Sequence, residues 1–102
     1  MKTLKNEKFE YFKIGKNADY KEAIMYQLGK DPAKNFSSEM IRQRIKLIDK
    51  VEDCKKDIEL EDADWKTIQT VFKKGTWIDG QDIPIPVLRE INKLLEQIEK
   101  IL

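Results

Sequence analysis

From residue 36 onward the apolar residues recur at steps of three and four, and each block is framed by residues that start or stop helices. That pattern commits most of the chain to amphipathic helices. Ser37 is a good N-cap, and Phe36 and Ile41 stand at the N′ and N4 positions of a hydrophobic staple. Met40, Ile41, Ile45, Leu47, Ile48, Val51 and Cys54 then predict a helix of about 17 residues. Leu60 and Trp65 repeat the staple spacing around a second start. Glu61, Asp62 and Asp64 favour the positive end of that helix dipole, and Trp65, Ile68, Val71 and Phe72 form its stripe. Lys73, Lys74 and Gly75 close it. Pro86 can serve as N1 of a last helix, whose stripe of Val87, Leu88, Ile91, Leu94, Leu95, Ile98, Ile101 and Leu102 runs to the end of the sequence.

The first third is less regular. Residues 8–14 are aromatic and precede Gly15, which favours a short strand, with residues 57–60 or 76–78 as its partner. Asn17, Ala18 and Asp19 offer caps before a short helix from Tyr20 to Leu28, and Gly29 can close it in the left-handed conformation. Residues 76–85 form a connection with Asp79-Gly80 as its turn. The expected fold is mainly α, one helical domain over 1–102 with three to four helices; a short N-terminal hairpin would make it α+β. The expected core is Tyr20, Ile24, Leu28, Phe36, Ile41, Ile45, Ile48, Val51, Trp65, Ile68, Phe72, Leu88, Ile91, Leu95 and Ile98.

Composition narrows the chemistry. Among 102 residues there is no His and one Cys, which removes His-based triads, zinc motifs and an internal disulfide. Cys54 lies on an apolar stripe and reads as a buried thiol. The glycines are isolated, so no phosphate-cradling loop is present. An enzyme, a metal site and a cofactor are not expected. No apolar run approaches a membrane span and no secretory leader is visible, so a cytoplasmic location is expected.

Charged residues make up 38% of the chain, yet the net charge is +1. Residues 1–50 carry a balance of +5, residues 51–64 a balance of −5, and residues 65–102 a balance of +1. The acidic block reads as a solvated loop and helix cap. A cation site from Asp57, Glu59, Glu61, Asp62 and Asp64 fails the EF-hand template, since no Gly lies among them.

Two features suit binding. Arg42, Lys46 and Lys50 are spaced by four on the Ser37 helix, with Arg44 flanking them, a set able to clamp phosphates. No aromatics interleave with them, which weakens a single-strand reading, and with a net charge of +1 DNA is not an expected partner. Val87, Ile91, Leu94, Ile98 and Ile101 follow the heptad steps of a coiled-coil seam. An outer edge of Leu94, Ile101 and Leu102 is expected to join copies into a homo-oligomer.

The run Ser37-Ser38-Glu39-Met40 with its basic-apolar helix, then Leu60-Glu61-Asp62-Ala63-Asp64-Trp65 and a connector containing Trp77, resembles small phage and prophage proteins over residues 36–95. Residues 1–35 fall outside the resemblance. It implies a virus-encoded accessory protein. The leading expectation is therefore a non-enzymatic phage protein that binds a host or phage protein, in virion assembly or against a host factor. The alternative is an oligomeric anti-defence sponge that sequesters a nucleotide immune signal through the basic helix residues.

Overall fold

The computed structural model describes residues 1–8, 19–30, 35–77 and 84–102. Its elements are β1 (Lys2–Leu4), α1 (Tyr20–Leu28), α2 (Ser38–Asp53), β2 (Ile58–Leu60), α3 (Asp62–Lys74) and α4 (Ile85–Lys100). The protein is mainly α, with four helices and one small sheet among the described residues.

The sheet pairs β1 with β2 antiparallel, setting Leu4 opposite Ile58 and Lys2 opposite Leu60. Ile58 and Leu60 are two apart, so both point inward with Leu4, while Glu59 and Thr3 face solvent. β2 is one of the two segments the sequence offered as a strand partner. The strand expected over 8–14 falls almost entirely outside the described residues; Lys8 alone is described, bridging antiparallel to Asp19.

Local signals explain the helix boundaries. Asp19 caps α1 by accepting the Glu22 N–H at 2.8 Å, and Ser37 caps α2 by accepting the Met40 N–H at 3.1 Å. Glu61 occupies the N-cap position of α3, and Leu60 and Trp65 are both buried at the staple positions. Pro84 precedes α4, which places Pro86 at N2 rather than N1. Gly29 departs from expectation: its φ of −84° is not left-handed. The chain tightens instead, with Gly29 donating to Met25 and Tyr26 carbonyls and Lys30 to the Gln27 carbonyl.

α1 lies centrally, packed on α2 and α3, and α3 packs on α4. The core is built from Tyr20, Ile24, Leu28, Val51, Trp65, Ile68, Phe72, Ile91 and Ile98 as expected, joined by Leu4, Ala23, Leu47, Ile58, Leu60, Val71 and Leu94. Trp65 also donates its indole N–H to the Lys2 carbonyl at 2.9 Å, which pins β1 to α3. Asn6 stitches the next stretch. Its backbone N–H reaches Asp57 at 3.1 Å, its amide reaches Asp19 at 3.0 Å, and its carbonyl oxygen accepts from the Lys21 N–H at 3.1 Å.

Three expected core residues stand outside it. Ile41 is 48% exposed, Ile45 52% and Leu88 47%. Phe36, Ile48 and Leu95 are half-buried at its margin. On α2 the inward face is set by Leu47 and Val51, and an advance of about 100° per residue carries Ile45 well away from both. On α4 the inward face is Ile91, Leu94 and Ile98, which leaves Leu88 on an outer edge.

Candidate binding surface

The four basic residues of α2 do not act as one row. At about 100° per residue Arg44 lies roughly 160° from Arg42, on the helix's inner side. Its guanidinium donates to the Leu28 carbonyl at 2.9 Å and sits 5.4 Å from the centroid of the Phe36 ring. Arg44 thus satisfies the open C-terminal end of α1, where a cation is favoured by the dipole. Lys50 pairs with Asp64 at 3.1 Å, tying α2 to the first turn of α3. Arg42 and Lys46 remain on the exposed face.

The expected oligomer edge on α4 is also redistributed. Leu94 is fully buried within its own chain, so it cannot meet another copy. Ile101 is half-buried against the core and Leu102 is 46% exposed. The coiled-coil spacing of α4 is real, but the seam packs onto the rest of the same molecule.

Among the described residues the fold leaves apolar side chains uncovered on two helices: Ile85, 65% exposed, and Leu88 at the start of α4, and a pair on α2. Ile41 and Ile45 are one turn apart, with half-buried Ile48 continuing their line, and steps of four and three make a second seam beside the Leu47–Val51 face. The charges around it are mixed: Glu39, Arg42 and Lys46 are exposed toward the N-terminal side and Asp49, Lys50, Glu52 and Asp53 toward the C-terminal side. Of these, Lys50 alone has an ion-pair partner among the described residues, Asp64. The seven apolar positions of α2 span more of its circumference than one stripe: Leu47 and Val51 are buried, Ile48 and Cys54 pack against the core from its margin, Met40 is half-buried, and Ile41 and Ile45 are left exposed.

Other concavities are shallow and chemically mixed. One, of about 560 Å³, lies beside Cys54 and is lined by Lys50, Lys55, Asp53, Asp57 and Glu59. The half-buried Cys54 thiol donates to the Lys50 carbonyl at 3.3 Å. Another, of about 630 Å³, runs between α3 and α4 over Phe72, Leu95 and Ile98. Gln69 crosses that groove to donate to the Ile98 carbonyl at 2.9 Å. Tyr20 is buried with Gln97 donating to its hydroxyl at 3.3 Å. Burial, and then the nearby Glu7 carboxylate, push the phenol up to about 12, so it stays protonated at neutral pH. Among the described residues, no group of three or more acidic or Cys side chains could hold a metal ion. No helix among them is long and apolar enough to cross a membrane.

Among the described residues the chain is a small domain of four helices with a two-stranded clasp, and apolar side chains stand exposed on α2 and α4. No protein-family model, curated protein or solved structure matches the chain.

Proposed function

We propose that the protein is non-catalytic and works by protein–protein contact, with the outer face of α2 as its contact surface. The observation that carries this reading is the pair Ile41 and Ile45, about half exposed one turn apart, on a helix whose other face already completes the core. Burying two such side chains contributes about 1–3 kcal/mol each when the partner is apolar. A virus-encoded accessory role, in virion assembly or against a host factor, is the setting that the resemblance over residues 36–95 implies. The nucleotide-sponge alternative draws less support, because Arg44 and Lys50 already hold internal partners and leave Arg42 and Lys46 to carry it.

The test is site-specific photocrosslinking in the cells that make the protein. Benzoylphenylalanine in place of Ile45 should give a discrete protein adduct, and the same residue in place of Lys66 on exposed α3 surface should not. Adducts of equal yield at both positions, or none at Ile45, would overturn the reading.

A further inference from the structure

We infer that Gly75 is a hinge with a second, left-handed position, and that turning it swings Trp77 off Phe72 in the groove between α3 and α4. α3 stops without the cap that its terminal glycine invites. A glycine after a helix commonly turns left-handed, so that it and the next residue donate their N–H groups back to the last carbonyls. Gly75 instead runs extended at φ −72° and ψ 149°, and neither it nor Thr76 makes such a backbone bond among the described residues. A buried side chain is left short at the same place. Gln27 is 1% exposed, and its Oε1 lies against Gly75 with no hydrogen-bond partner among the described residues. An oxygen buried unpaired weakens the arrangement that holds it.

What keeps Gly75 extended is the Thr76 carbonyl, which accepts from Gln27 Nε2 at 3.0 Å and from Lys30 Nζ at 2.8 Å. The left-handed turn gives up those two bonds, caps α3 in exchange and frees the Gln27 amide from its contact with Gly75. Each position satisfies groups that the other leaves open, so the two lie close in free energy. A residue without a Cβ passes between them at little steric cost. Trp77 rides on this joint. Its ring stands edge-on to Phe72, with 5.8 Å between centroids and 69° between planes. Phe72 lines the groove together with Leu95 and Ile98, so turning Gly75 uncovers part of that lining.

Amide-nitrogen relaxation dispersion on the full chain tests this. Thr76 and the Trp77 indole should exchange on the microsecond-to-millisecond scale with a minor state of about 1–10%, while Ile68 in the middle of α3 stays flat. Lys30→Met removes one donor from the Thr76 carbonyl and should raise the minor population by about two- to tenfold. Gly75→Ala in a Gln27→Ala background, where the side-chain clash is gone, should lower it roughly tenfold relative to Gln27→Ala alone, because an L-residue resists the left-handed region. Flat profiles at Thr76 and Trp77 overturn the inference. So does a minor population indifferent to Lys30→Met, or one that survives undiminished when residue 75 is alanine.

Discussion

Gly75 offers a case where backbone rules and tertiary packing predict opposite signs. It follows α3 with φ −72° and ψ 149°, which any L-residue adopts without strain. On those grounds Gly75→Ala should stabilise by about 0.4–1 kcal/mol, by narrowing the unfolded ensemble. The fold reverses this. A Cβ at Gly75 would run into Oε1 of Gln27 and lie 3.1 Å from the Val71 carbonyl oxygen. Gln27 is 1% exposed, and its Nε2 donates to the Thr76 carbonyl at 3.0 Å, so the side chain cannot swing aside with that bond intact. Losing a buried hydrogen bond costs about 1–3 kcal/mol. Set against the backbone gain, the net is a destabilisation of about 1–2 kcal/mol, or a Tm lower by roughly 4–16 °C for a domain of this size. In a Gln27→Ala background the side-chain clash is gone, only the close approach to the Val71 carbonyl offsets the backbone gain, and Lys30 still donates to the Thr76 carbonyl at 2.8 Å. There Gly75→Ala should fall within about 0.5 kcal/mol of neutral. A double-mutant cycle in urea reads the coupling directly. Gly75→Ala stabilising the wild type, or costing the same in both backgrounds, would refute the reasoning.

Trp65→Ala should cost about 3–5 kcal/mol in urea denaturation, as expected for a wholly buried aromatic. Trp65→Phe should be milder and should weaken amide-exchange protection at β1 first, because it removes the donor to the Lys2 carbonyl. Arg44→Met should lower stability by about 1 kcal/mol by opening the end of α1, while Arg42→Met should stay within about 0.5 kcal/mol by thermal melting of monomer. Tyr20 titrates higher in the folded state than in the unfolded chain, so its contribution to stability is complete below pH 10 and is lost as pH rises through about 12. Comparing alkaline stability curves of wild type and Tyr20→Phe isolates this loss from that of the lysines; parallel curves would refute it.

Caps, staples and breakers act within a turn or two of chain, and they were legible in the sequence. Asp19, Ser37 and the Leu60–Trp65 pair placed the starts of α1, α2 and α3 within a residue. The inward stripe of α3 was likewise readable, since Trp65, Ile68, Val71 and Phe72 are its one apolar row. β1 was not, because three residues carry no period and their strand depends on Ile58–Leu60, more than fifty positions away. On α2 the apolar positions span more of the circumference than one stripe, and the choice of which to bury belonged to α1 and β2, the elements that pack against it. That choice buried Leu47 and Val51 and exposed Ile41 and Ile45. It also turned Arg44 from a ligand candidate into the cap of a neighbouring helix. For α4 the heptad spacing specified a seam but not its partner, since an apolar stripe gains the same from any apolar surface; the nearest one was within the same chain. Periodicity determines that a face must be buried, and only the tertiary arrangement decides against what.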